Sequence, residues 1–309
     1  MRVAAIDLGT NSTRLLVADV DDGRVEAVHR ESRVTGLGRG VETSGQLATE
    51  AIESVYAAVG DYSSTLAGLG AEGTFAFATS AARDASNSDA FLAELRERFA
   101  LQARVIGGLE EAELTYRGAR GGGYIDGETL VLDVGGGSTE LIVGSQAEPG
   151  FNTSLQLGVV RHTERHIHTD PPQTNELESL AEDVGNAVDA QISKFPGLRA
   201  GHGVAVAGTP AILAAIDLGL ERVDYDLVEG HELGMETIQN LCSRLSSLPL
   251  AERRQVRGMD ADRAPTIVAG VIILSKVMRA FALPKIAVSE RDILFGAAAR
   301  AAEQARTAR

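Results

Sequence analysis

Ile6-Asp7-Leu8-Gly9-Thr10-Asn11-Ser12-Thr13-Arg14-Leu15-Leu16-Val17 recurs further along as Leu132-Asp133-Val134-Gly135-Gly136-Gly137-Ser138-Thr139-Glu140-Leu141-Ile142-Val143. Asp, Gly, Ser, Thr, Leu and Val fall at the same steps of both stretches, which marks two related halves. Each copy reads as an apolar strand ending in Asp, a tight Gly-containing turn and a second apolar strand, the signature of a β-hairpin.

The segments downstream of the two copies are also alike. After the first, a third strand is expected near residues 24–34, then a helix with Ile52, Val55, Val59, Tyr62 and Leu66 at helical spacing. A strand at 74–78, a helix carrying Phe91, Leu92, Leu95 and Phe99, a strand at 103–106 and a helix from about Leu109 complete that half. The second copy leads to a strand near 151–155, a helix with Leu177, Leu180, Val184, Val188 and Ile192 on one stripe, and a strand at 204–207. Helices near 210–218, 235–245 and 264–281 and a strand at 286–288 come next. Strands alternating with helices imply an α/β fold with mixed sheets. Arg120-Gly121-Gly122-Gly123 reads as the hinge, giving domains at 1–123 and 124–290 with a cleft between them. The alanine-rich tail, about 291–309, is expected to be helical and to pack back on the first domain.

A length of 309 residues suits about two domains at roughly 150 residues each. With 44% hydrophobic and 23% charged residues the chain is ordinarily globular. Its formal charge of −14 disfavours nucleic acid and anionic lipid as partners. The longest apolar stretch, 264–274, is too short to cross a bilayer, and an acid at position 7 comes too early for a signal peptide. Cys242 is the one cysteine, so no internal disulfide forms, and a cytoplasmic protein is expected.

Turns of Gly with small hydroxyl residues let backbone N–H groups converge on a phosphate. Gly9, Thr10, Asn11 and Ser12 form one such turn, and Gly135, Gly136, Gly137 and Ser138 its counterpart. Gly208 and Thr209 end a strand and open a helix, where the dipole also favours an anion. Asp7 and Asp133 occupy equivalent strand ends, whereas Arg14 is matched by Glu140. Carboxylates beside a phosphate turn repel an anion unless a divalent cation lies between, so Asp133 and Glu140, with Asp7 as a third candidate, suggest Mg²⁺ or Mn²⁺. Arg14 would supply positive charge from the other half, and Arg83, following a strand, could be a bidentate phosphate ligand, with Arg161 a weaker candidate. Glu110 and Glu111 open a helix, either compensating its dipole or supplying a general base for an attacking water. His162, His166 and His168 read as surface residues of a charged helix, and no Cys/His cluster at metal-ligand spacing is apparent.

Asp7-Leu8-Gly9-Thr10-Asn11-Ser12, Thr79-Ser80-Ala81-Ala82-Arg83, Val105-Ile106-Gly107-Gly108-Leu109-Glu110-Glu111-Ala112 and Asp133-Val134-Gly135-Gly136-Gly137-Ser138-Thr139-Glu140 occur in that order. Together they resemble the exopolyphosphatase and guanosine pentaphosphate phosphohydrolase family, from the first residues to about Val288. The resemblance implies the duplicated actin-like fold of two ribonuclease H-like domains. It also implies Mg²⁺-dependent removal of the terminal phosphate of inorganic polyphosphate or, in some members, conversion of pppGpp to ppGpp. It further implies Glu111 as catalytic base, Asp133 and Glu140 at the metal, and Arg83 on phosphate. An ATP-dependent kinase of the same fold and a non-catalytic (p)ppGpp or nucleotide sensor are the rival readings, and a homodimer is left open. The chain departs from the family pattern at Arg263-Ala264-Pro265 and Ile293-Leu294-Phe295-Gly296, expected to weaken the second half's share of substrate binding. Its shortness suggests a shorter preferred polyphosphate.

Overall fold

Both copies of the repeated stretch are β-hairpins in the computed structural model, which describes residues 1–145 and 148–307. The chain forms two units: Met1–Gly121 together with the chain from Arg291 onward, and Gly122–Glu290.

In the first unit, β1 (Arg2–Leu8), β2 (Ser12–Asp21) and β3 (Arg24–Val34) form an antiparallel meander. The short α1 (Val41–Ser44) and the long α2 (Thr49–Leu69) lead to β4 (Thr74–Ala78). Then come α3 (Ser80–Asp84), α4 (Ser88–Phe99), β5 (Ala103–Val105) and α5 (Gly108–Arg120). The sheet runs β3-β2-β1-β4-β5, with β4 parallel to both neighbours. β1 is apolar almost throughout because both its faces are covered. Ala4, Ile6 and Leu8 pack with Val55, Val59 and Tyr62 of α2, while Val3 and Ala5 belong to the core on the opposite face.

The second unit repeats the plan. Its hairpin is β6 (Thr129–Val134) and β7 (Thr139–Ser145), extended by β8 (Glu148–Leu155). α6 (Val159–His166) and α7 (Thr174–Ile192) precede β9 (His202–Val206), and α8 (Gly208–Asp217) comes after it. Next are α9 (Tyr225–Val228), β10 (Glu232–Gly234), α10 (Met235–Ser247), α11 (Leu250–Arg253), α12 (Ile267–Ala280) and β11 (Lys285–Val288). The sheet order β8-β7-β6-β9-β11 reproduces that of the first unit, and β10 adds an antiparallel edge. Three-residue β10 and four-residue α1, α9 and α11 have no counterpart in the sequence reading, since elements so short carry no hydrophobic period.

α13 (Ile293–Thr307) lies against α5 and β1 of the first unit. Residues 308 and 309 of the expected terminal helix lie outside the described residues. Two glycines set the α5–α13 approach: a Cβ on Gly118 would stand 1.9 Å from the Asp292 carbonyl oxygen, and one on Gly296 2.0 Å from that of Leu114. Ile293, Leu294 and Phe295 are buried here, and the guanidiniums of Arg30 and Arg291 lie 4.8 and 4.9 Å from the centroid of the Phe295 ring. The departure at 293–296 therefore falls in the core of the first unit and not, as expected, in the second half, because α13 packs with the first sheet. Among the described residues no helix is long and apolar enough to cross a membrane.

Candidate active site

The two glycine turns have the same backbone lock. The Gly9 N–H donates to the Ser12 carbonyl at 3.1 Å and the Gly135 N–H to the Ser138 carbonyl at 3.0 Å. A Cβ on either glycine would lie 2.8 or 2.9 Å from that same oxygen, so only glycine closes the turn without moving backbone. In the first unit Thr10, Asn11 and Ser12 are buried, and the Thr10 hydroxyl accepts the Ala81 N–H at the start of α3. Leu8 is level with Ala78 and Ala78 with Val105, so turn, α3 and α5 all begin at the carboxyl end of the sheet, where α/β folds place ligands.

Asp7 and Arg14 stand directly opposite in the β1–β2 ladder, and Arg14 Nε and Nη2 donate to Asp7 Oδ2 at 3.0 and 2.6 Å. Arg14 Nη1 donates to Asp292, just before α13. Two carboxylates offset the Arg14 charge, so this side chain holds Asp7 in place rather than offering a bare cation to an anion. Asp292 was invisible as a site residue because it meets Arg14 only through tertiary folding. Burial pushes the Asp7 carboxyl above its ordinary value, against the pull of Arg14.

Glu111 projects from the first turn of α5 and is 9% exposed. Arg83 Nη1 donates to Glu111 Oε2 at 2.7 Å and to the Ile106 carbonyl at 2.9 Å. Burial nevertheless outweighs that pairing and pushes the Glu111 carboxyl up to about 7, with Asp7 adding in the same direction. Glu110, by contrast, points to Arg104 and Arg300 and is held below its usual range mainly by the hydrogen bond from Arg104. Glu110 is thus taken up by two arginines, while Glu111 is buried beside Arg83. Among the described residues five buried side-chain polar atoms lack a hydrogen-bond partner in the protein, and three are here: Asp7 Oδ1, Ser80 Oγ and Arg83 Nη2. Each such atom costs about 1–3 kcal/mol, so a donor from Arg83 and an acceptor from Asp7 are held in reserve near Glu111.

A carboxyl near 7 has a consequence for pH. Its proton is bound more tightly in the folded state than at the ordinary 4.5, so its contribution to stability is complete below about 4.5 and lost as pH rises through about 7. A reaction that used Glu111 as its general base would run the other way, because only the ionised form accepts a proton. The ratio kcat/KM should rise about tenfold per pH unit up to about 7 and then level; a flat profile from pH 5 to 8 would exclude Glu111 as the base.

In the second unit Asp133 and Glu140 are directly opposite in the β6–β7 ladder, the register of Asp7 and Arg14. Both are buried, on one face beside the glycine turn, and Ser154 Oγ donates to Glu140 Oε1 at 2.7 Å. Two buried carboxylates so placed are hard oxygen donors of the kind Mg²⁺ takes, with waters and substrate oxygens completing its shell. Asp7, with an unpartnered Oδ1, also fits a hard cation. Asp133 is level with Val206 of β9, bringing the start of α8 beside the turn. There Ala207 adopts φ 73° and ψ −169°, a conformation that costs of order 1–3 kcal/mol outside glycine and is kept mostly at functional sites. A Cβ on Gly208 would lie 2.1 Å from Arg263 Nη1, so the Arg263 guanidinium covers the helix start. Thr209 is buried against Gly270 of α12. Arg161, the weaker candidate, donates from Nε to the Gly137 carbonyl at 3.0 Å and so supports the turn.

The histidines of α6 are not the surface residues expected. His162 is fully buried, His166 is half-buried, and only His168, beyond the end of α6, is exposed. The charged residues Glu164 and Arg165 occupy the outer side of α6 while positions 162 and 166, one turn apart, face α7. A histidine cluster of ligand type exists after all, completed by Asp183.

Residues 16–296 match the family model described as the Ppx/GppA phosphatase family. The chain is 36% identical over 311 residues to "Exopolyphosphatase 2" of Mycobacterium tuberculosis, covering 96% of this chain and 97% of that protein. Among solved structures, it is similar to the Ppx/GppA family member of Aquifex aeolicus, with a TM-score of 0.82 and 29% identity over 98% of both chains. It is also similar to an exopolyphosphatase of Cytophaga hutchinsonii, with a TM-score of 0.88 and 26% identity over 96% of both chains.

Proposed function

The chain belongs to the Ppx/GppA phosphatase family, and from that we propose that it is an exopolyphosphatase, releasing orthophosphate from the end of inorganic polyphosphate. The observation that carries this reading is Glu111: a buried carboxylate pushed up to about 7 and oriented by Arg83. A water oxygen bonds to the terminal phosphorus, the bridging P–O bond breaks with its electrons on the shortened chain, and the water proton passes to Glu111. Arg83 holds the base with Nη1 and has Nη2 left for a phosphate oxygen. Each unit by itself offers backbone N–H groups suited to phosphate oxygens, the first at Gly9–Ser12 and the second at Gly135–Ser138 and the start of α8 at Gly208 and Thr209. Arg14 keeps Asp7 in register. Asp133 and Glu140 of the second unit would hold Mg²⁺, whose chemistry there is to neutralise non-bridging oxygens, and Asp7 is the first unit's own candidate for a hard cation.

A phosphate-release panel tests the reading: short and long polyphosphate, pppGpp and ATP, each with and without Mg²⁺ and with no acceptor. Release from polyphosphate only with Mg²⁺ is expected. The terminal anhydride of pppGpp is the same bond, so its rate relative to polyphosphate measures the second family activity. Transfer that needs an added acceptor would make the protein a kinase, and tight binding without release a sensor.

A further inference from the structure

We infer that His162, His166 and Asp183 form a second metal site, for a divalent ion of the zinc class, on the face where α6 meets α7. His162 and His166 are four residues apart on one helix, a spacing that stacks two imidazoles over the same spot. Their ring centroids are 5.8 Å apart. Asp183 comes from α7, and one donor atom from each of the three residues lies within 4.8 Å of the others. His166 Nε2 is 2.9 Å and His162 Nε2 3.5 Å from Asp183 Oδ2. Donors of a tetrahedral Zn²⁺ bound at about 2.0–2.1 Å stand about 3.3 Å apart, so small rotations close the site.

A second observation points to a ligand. His162 Nε2 is buried without a hydrogen bond, while Nδ1 of the same ring is 3.2 Å from the Gly158 carbonyl oxygen and 3.3 Å from the Gly158 nitrogen. The Gly158 N–H donates to Nδ1 in one tautomer; in the other, which metal binding would select, Nδ1–H donates to the Gly158 carbonyl and the Nε2 lone pair faces His166 and Asp183, the backing usual for a metal-bound histidine. His166 is backed likewise, with Nδ1 3.2 Å from Ser179 Oγ. Arg165 Nη1 donates to Asp183 Oδ2 at 3.0 Å, which leaves Oδ1 for the metal or places Arg165 as its competitor. Two nitrogens and one carboxylate oxygen suit Zn²⁺ or Co²⁺ and not Mg²⁺, which separates this site from the pair at Asp133 and Glu140. Asp183 is the most accessible of the three, with 37% of its side-chain surface exposed, which leaves a fourth position for water.

The location gives such a site a purpose. α6 starts on the second glycine turn: the Val159 N–H donates to the Gly135 carbonyl at 3.0 Å and that of Val160 to Gly136 at 2.9 Å. A Cβ on Gly158 would lie 2.3 Å from the Gly136 oxygen. A metal bridging α6 to α7 would anchor the helix on which that turn rests.

The test uses the full chain, stripped with chelator and kept in millimolar Mg²⁺ to occupy hard-oxygen sites. Titration with Co²⁺ should give visible d–d bands of a tetrahedral, nitrogen-ligated ion saturating at one equivalent and bleached by Zn²⁺, and Zn²⁺ should raise Tm. His166→Gln and Asp183→Asn should each weaken Co²⁺ binding at least tenfold, while Glu140→Gln should leave it unchanged. Absence of the bands in the wild-type chain, or undiminished Co²⁺ affinity in either folded variant, overturns the site.

Discussion

Glu111→Gln is expected to slow phosphate release from polyphosphate at least about a hundredfold while changing its affinity little. Glutamine has the same shape and still accepts a hydrogen bond from Arg83 through its carbonyl oxygen, so the pocket and the phosphate-facing Nη2 of Arg83 stay in place. What is lost is a proton acceptor. A fall in kcat with KM preserved is the pattern of an interaction needed only in the transition state. The pH limb near 7 should vanish in the variant, because it reports Glu111 itself. Near-normal turnover in Glu111→Gln would remove this residue from the role and leave Asp7, the other buried acid whose charge reaches Glu111, as the group to test.

Glu140→Gln should show the next largest effect, on the metal requirement. Opposite Asp133, Glu140 is half of the buried carboxylate pair, and an amide carries no charge to offer a cation. The Mg²⁺ concentration for half-maximal rate should rise about 10- to 100-fold, with partial recovery at high Mg²⁺, and a chelator should abolish turnover in the wild-type chain. Ser154, which donates to Glu140 Oε1, keeps an acceptor in the amide, so the fold should survive. An unchanged Mg²⁺ dependence would show that the cation binds elsewhere. The same ladder position in the first unit explains the asymmetry between the halves: there Arg14 offsets Asp7 internally.

The α/β class and the two hairpins were legible because a twelve-residue repeat with strand periodicity leaves few alternatives. Glu111 was less so. Next to Glu110 in sequence and in the same helical turn, it differs only in which way it faces, and burial with Arg83 separates the proposed base from an ion-paired neighbour. Arg14, read as a phosphate ligand, also pairs with Asp292, 278 positions away, a partner no local pattern could show. His162 and His166 were misread because Glu164 and Arg165 made α6 look solvated, although their spacing already placed them together on its other face.

Two things about this protein come from its residues in order: the doubled hairpin with its glycine turns, and the set of acids and arginines available near them. Both are local, since turn closure and strand alternation depend on neighbours in the chain. Protonation and pairing were decided only by tertiary structure, because desolvation and partners drawn from distant segments set them. That is why Glu111 sits near neutrality, Arg14 is occupied, and two histidines meet an aspartate from the next helix.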